Sequence, residues 1–169
     1  MTPLPTIRIW HEQLYVSRAR HEGGAEKLPL ASLSVDDHVH GGLRIEIGGR
    51  LVPHLGYFDR DDVCFMAWLG ELQGVTDAFV SSDSATYLYD EGEQGQPGFL
   101  FQRRGDRAFL SIVDSQISDG EADTTWQCAE FATEELLVEH ARFRESFFTT
   151  LRKEAPEADR WIQRRQLKT

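Results

Sequence analysis

Phe99-Leu100-Phe101-Gln102-Arg103-Arg104-Gly105-Asp106-Arg107-Ala108-Phe109-Leu110-Ser111-Ile112-Val113 is the stretch that decides the fold. Two runs rich in aromatic and branched side chains flank Gly105-Asp106, residue types that tolerate the backbone of a tight turn. A tight turn there sets Phe101 opposite Leu110 and Phe99 opposite Ile112, all on one side of a hairpin. Working outward, Tyr87-Leu88-Tyr89 reads as a short strand, joined to the hairpin by a Gly/Pro loop over 91–98. On the other side a polar loop over 116–123 leads to a strand over 125–131 carrying Trp126 and Cys128.

A long helix follows. Thr133 is its expected N-cap, and Glu134 and Glu135 suit the positive end of the helix dipole. The helix is expected to reach about Glu154, with Leu136, Phe143, Phe147 and Leu151 on the buried stripe and Glu139 on a more polar face. Pro156 opens a final short helix that turns Trp161 and Ile162 inward.

Upstream, Ile7-Arg8-Ile9-Trp10 and Leu14-Tyr15-Val16 read as strand, residues 21–27 as a loop and 28–35 as a weaker strand. Leu43-Arg44-Ile45-Glu46-Ile47 alternates cleanly, which points Leu43, Ile45 and Ile47 at the core. Gly48-Gly49 supplies the turn, and 50–58 returns as its partner, with Pro53 placing that partner at an edge or bulge. Asp61 or Asp62 is expected to cap a helix reaching about Gln73, because Phe65, Trp68, Leu69 and Leu72 form one apolar stripe. The expectation is therefore α+β: a single mostly antiparallel sheet packed by a long C-terminal helix and one shorter internal helix. Residues 1–169 are read as one domain, since two would leave each of them little core.

Composition narrows the function classes. Of 169 residues, 40% are apolar and 27% charged, as in ordinary globular proteins. No run approaches the roughly 18 apolar residues of a membrane span. The opening MTPLPTIRIW has no basic segment followed by an apolar run, so no secretory signal is read and a cytoplasmic location is expected. In that setting Cys64 and Cys128 are expected as reduced thiols. The net charge of −10 argues against nucleic acid and against an anionic membrane. That charge is uneven: residues 59–130 hold 4 basic and 15 acidic side chains, while the flanking segments nearly balance. Three clusters produce much of the excess: Asp59 with Asp61 and Asp62; Asp90 with Glu91 and Glu93; and Asp119, Glu121 and Asp123. The bland reading is solvated loops; the sharper one is a single negative face, if the clusters meet in space.

No spacing specifies a reaction. His38-Val39-His40 puts two imidazoles on one face of an extended segment, but a metal needs a third ligand, and His11, His54 and Asp37 carry no recognised spacing for it. His11-Glu12-Gln13-Leu14-Tyr15 lacks the second histidine of a zinc-protease helix. Aligning Gly120 with a calcium-loop glycine puts Trp126 where the glutamate is required. The glycines at 92, 95 and 98 have no lysine and sit among acids, unlike a phosphate loop. No nucleophile elbow is present. Cys64, beside the apolar helix stripe, and Cys128, on a core strand, read as buried small hydrophobes, and His140 as a structural histidine. No cofactor and no metal are expected.

The segment from Phe99 to Asp106, then Leu110 to Asp114, then Trp126 and the long helix, resembles small bacterial domains over about residues 86–151. Some of those are immunity proteins of polymorphic toxin systems. The resemblance lies in the pattern of strand, turn and helix. It implies a small acidic protein without a cofactor that neutralises a toxin by stoichiometric occlusion. On that expectation a basic protein partner would meet Asp59, Asp61, Asp62, Asp90, Glu91, Glu93, Asp114, Asp119, Glu121 and Asp123. Tyr57, Tyr87 and Tyr89 would serve as aromatic anchors. The alternative is a small-ligand-binding protein or enzyme using a pocket with His38, His40 or His54.

Overall fold

The computed structural model describes residues 2–56, 59–92 and 95–167. Within them β3 (His38–Ile47) is the spine of the larger sheet. It pairs antiparallel with β1 (Ile7–Ala19), and β1 in turn carries β2 (Ala25–Leu28). The other side of β3 takes the two-residue strands β4 (Arg50–Leu51) and β5 (Val63–Cys64). A second antiparallel sheet runs β6 (Ser84–Tyr89), β7 (Gly98–Arg104), β8 (Arg107–Val113), β9 (Ala129–Ala132). The α+β class stands, but with two sheets where the sequence predicted one. The helix α1 (Phe65–Ser81) packs against both, touching β3 and β6. The long helix α2 (Thr133–Glu154) covers β1 and α1, and α3 (Ala158–Arg164) closes the end. The apolar side chains form one continuous core cluster.

The hairpin has the predicted register: Phe101 faces Leu110 and Phe99 faces Ile112. Gly48 and Gly49 adopt φ of 57° and 80°, the left-handed pair a two-residue turn requires. After that turn only Arg50 and Leu51 return as strand, because Pro53 has no amide to continue the ladder. β1 is continuous but carries a register shift between Glu12 and Tyr15, with Gln13 at φ 50°. Such a bulge re-aims the side chains after it.

Four local expectations are corrected. The 28–35 segment is not strand beyond Leu28; it holds a 3-10 turn at Leu30–Ser32. Asp37 fastens this region by accepting from Arg18 and from the Ser34 amide and hydroxyl. α1 is capped by Cys64 rather than by Asp61 or Asp62, and runs on to Ser81 because Val75, Thr76 and Phe79 extend the buried stripe. The last strand begins at Ala129, so Cys128 lies before it, exposed and at φ 51°. Thr133 is the first residue of α2 and not its cap; its hydroxyl donates to the Gly105 carbonyl.

Glu139 is less free than the helix pattern predicts. Its side chain is 13% exposed, and it accepts from the Ile9 amide while Glu135 accepts from the Ile7 amide. These carboxylates satisfy the edge of β1 where no strand pairs with it among the described residues, which blocks that edge to other chains. Phe147 is fully buried against Phe65 and His11. Phe147→Ala should therefore destabilise by roughly 3–5 kcal/mol. Glu139→Ala should cost about 1 kcal/mol through the lost acceptor. Chemical denaturation of both variants measures this, and equal effects would contradict the orientation of α2.

His140 is 4% exposed, and burial, aided by Arg144, pushes its pKa down to about 4. The unfolded chain protonates this imidazole near 6.5, so folding favours the neutral form. Its contribution is complete above pH 6.5 and is lost as pH falls toward 4. The melting temperature of His140→Gln should fall less steeply than that of the parent over this window. A parallel slope would contradict the assignment.

Candidate functional site

The site begins at a buried charge. Arg44 sits mid-β3 with only 6% of its surface exposed. Its guanidinium pairs with Asp61 and with Glu12 (3.2 Å) and donates to the Arg60 carbonyl (2.8 Å). A buried guanidinium needs such partners to offset its lost hydration. The consequence is positional: residues 60–61 are tied to β3, and Asp62 follows at a fixed place.

Asp62 then meets His40. His38 and His40 are two apart on β3 and share a face, with ring centroids 6.1 Å apart. β5 pairs with β3 so that Cys64 is the cross-strand partner of His40. The His40 Nδ1 lies 2.6 Å from Asp62 Oδ1, and the Tyr15 hydroxyl donates to the same oxygen at 2.6 Å. Tyr15 comes from β1, directly opposite His40 in register, after the bulge. The remaining His40 nitrogen, Nε2, is buried and has no hydrogen-bond partner among the described residues. One donor atom from each of His38, His40 and Cys64 lies within 4.8 Å of the others.

The electrostatics follow from these contacts. Burial pushes the Cys64 thiol up, but His40 and the open amides of Ala67 and Met66 at the start of α1 hold it below the ordinary thiol value. Burial opposes charge on His40, yet Cys64 and Asp62 beside it bring its pKa above the usual imidazole range. Burial also works against ionised Asp62, and its bonds from His40 and Tyr15 overcome that and hold it low. Burial, with His40 and Arg165 nearby, lowers His38.

These groups form one wall of a cleft of about 300 Å³. Leu55, Trp68 and Tyr89 supply the apolar part of the lining, and Glu91 and Gln96 complete it. Trp68 is fixed edge-on to Tyr89 and Phe99 and donates its indole N–H to the Leu55 carbonyl. An apolar aromatic lining joined to a few titratable groups is the usual composition of a small-molecule pocket.

Two acidic loops flank the cleft and are fastened to each other. Asp90 accepts from the Ser115 hydroxyl (2.8 Å) and the Gln116 amide (2.6 Å), which ties the loop after β6 to the loop after β8. Gly120 lies so close to the Gln96 carbonyl that a Cβ there would stand 2.1 Å away, so only glycine allows this approach. Gln96 reaches the His54 carbonyl, and the His54 ring faces Asp123 at 3.4 Å. The three acidic segments are thus neighbours around the cleft: Asp62 and Glu91 both line it, and Asp90 and Gly120 hold the 114–123 loop to the segments on either side of Glu91.

Within this face the predicted contact residues divide. Asp59, Glu91, Asp114, Asp119 and Glu121 are exposed. Asp61 and Asp62 serve Arg44, His40 and Tyr15, and Asp90 ties the loops. Asp114 also accepts from the Ala122 amide, and Asp123 from Thr125. Tyr89 is 7% exposed and gives its hydroxyl to Glu91, so it is pocket wall and not an outer anchor. Tyr87 donates to Glu71, against α1. Tyr57 and Glu93 lie outside the described residues. His54 lines a different hollow from His38 and His40.

Cys64 and Tyr15 are the residues that sequence reasoning missed. Cys64 is half-buried at a helix start facing an imidazole, not a core filler. The only sequence signal was its place directly before the apolar stripe, which is where an N-cap belongs. No family model matches the chain, and no curated protein or solved structure matches it either. Among the described residues no helix is long and apolar enough to cross a membrane.

If Arg44 sets the site, Arg44→Met should leave β3 paired but release 60–62. His40 should then lose its Asp62 contact, and its pKa, followed by NMR titration, should fall below that of the parent. An unchanged His40 titration would contradict the anchoring role.

Proposed function

We propose that the chain is a non-enzymatic protein-binding domain whose working surface is this acidic end. The proposed mechanism is stoichiometric occlusion of a basic partner, as in a toxin-neutralising immunity protein. The observation that carries it is that acidic segments distant in sequence are neighbours around one cleft, with Asp90 and Gly120 holding two of their loops together and Arg44 holding the third segment. Locked loops present their carboxylates without an ordering cost at encounter. Exposed Asp59, Glu91, Asp119 and Glu121 would steer lysine- and arginine-rich surface toward this end and set its orientation.

A second reading is favoured by the cleft itself. His38, His40 and Asp62 together with Trp68 and Tyr89 line a pocket suited to a small ligand or to proton-transfer chemistry. His54 takes no part in that reading, because it faces Asp123 outside this cleft.

The test is a partner captured from native lysate and then studied by association kinetics. Steering by exposed charges fades beyond the Debye length of roughly 8 Å at physiological salt. The partner should be basic, and its association should slow as salt rises. Replacing Glu91, Asp119 and Glu121 with Gln, Asn and Gln should slow association about tenfold or more at low salt and leave the melting temperature within about 2 °C of the parent. An acidic partner, or an unchanged on-rate, would contradict the reading. A small molecule that raises the melting temperature while no protein is captured would favour the pocket.

A further inference from the structure

We infer that His38, His40 and Cys64 form a binding site for a zinc-class divalent cation. The inference stands apart from the acidic-face reading, since it needs only β3, β5 and the start of α1. His38-Val39-His40 alone offers two ligands at strand spacing and lacks a third. The fold supplies the third from 24 residues further on, because the two-residue strand β5 sets Cys64 across from His40.

The donor set suits a borderline-soft cation. A thiolate and two neutral imidazoles are zinc ligands, with bonds of about 2.3 Å to sulfur and 2.0–2.1 Å to nitrogen. At a tetrahedral angle those bonds put donor atoms roughly 3.3–3.6 Å apart. The three donors here lie within 4.8 Å of one another, so closing on an ion needs a contraction of about 1 Å. His38 is exposed and free to supply much of that movement by rotation.

The surroundings match a metal site in a second way. A histidine that ligates through one nitrogen usually gives its other N–H to a carboxylate, which fixes the tautomer. Asp62 occupies that position on His40 Nδ1 at 2.6 Å and is itself held by Tyr15. In the neutral tautomer that gives Nδ1–H to Asp62, Nε2 carries the lone pair, and this nitrogen is buried with no hydrogen-bond partner among the described residues. An unpartnered buried acceptor is costly, and a cation there would satisfy it. Cys64 stands directly before the first turn of α1, a position that favours the thiolate a metal requires. Three protein donors leave a fourth position for water or for a group entering the cleft, the open arrangement of reactive zinc sites.

The experiment uses chelator-treated full-length chain with Co(II) and then Zn(II) as the only additions. Co(II) should bind one per chain and give a thiolate-to-cobalt charge-transfer band, which Zn(II) abolishes by displacement. Cys64→Ser should remove that band. His38→Gln and His40→Gln should each weaken binding at least about tenfold, and Asp62→Asn about 10- to 100-fold. A second measurement needs no variant. Zn(II) should protect Cys64 from iodoacetamide, while exposed Cys128 is alkylated equally with and without metal. Co(II) bound without the charge-transfer band would overturn the inference, because it would place the ion on carboxylates. So would Cys64 alkylated at the same rate in both conditions; rapid metal-indifferent alkylation would make the Cys64–His40 pair a nucleophile and not a ligand set.

Discussion

The guanidinium of Arg44, buried in the middle of β3, is the interaction on which the rest of this end depends. A charge at such a position is held only by partners that replace its water. Its partners come from β1 (Glu12) and from the segment before β5 (Arg60 carbonyl and Asp61). Gly42 is part of the same arrangement, because a Cβ there would stand 2.9 Å from the guanidinium. Once 60–61 is docked, Asp62 reaches His40, β5 pairs with β3, and Cys64 caps α1. One ion pair thus connects the sheet, the helix start and the cleft.

A second constraint operates on the other sheet. Its aromatic hairpin holds Phe99 against Trp68 and Tyr89, and so fixes the apolar wall of the cleft. The loops leaving this hairpin are long and polar, yet Asp90, Gln96 and Gly120 hold them against each other and against the His54 segment. Acidic side chains here do two kinds of work: some fasten loops, and the exposed remainder gives the end its negative field. That division accommodates so much like charge, since each fastening carboxylate is held by guanidinium, imidazole, amide or hydroxyl donors.

Local patterns made much of the fold legible. Alternation in 43–47, the Gly48-Gly49 pair and the stripes of α1 and α2 each identify an element by short-range rules. The hairpin register followed from turn length alone. What could not be read were contacts made across the fold. Arg44 fits the alternation as a polar residue on the outer face of a half-buried strand, and no local signal shows its burial, because its partners lie 17 and 32 residues away. Cys64 looked like filler because a two-residue strand leaves almost no pattern, and its meaning comes from His40 across the ladder. The single-sheet expectation failed for a related reason: α1 separates two sets of strands, and no local signal says that they do not pair.

The central claim is that one acidic end, assembled from three distant segments, is the working surface. Hydrogen exchange of the chain with its captured partner, read by mass spectrometry, tests it most directly. The account predicts slowed exchange at 59–62, 90–96 and 114–123, with the outer face of α2 unchanged. Protection confined to α2, or to the strand edge it covers, would contradict the claim.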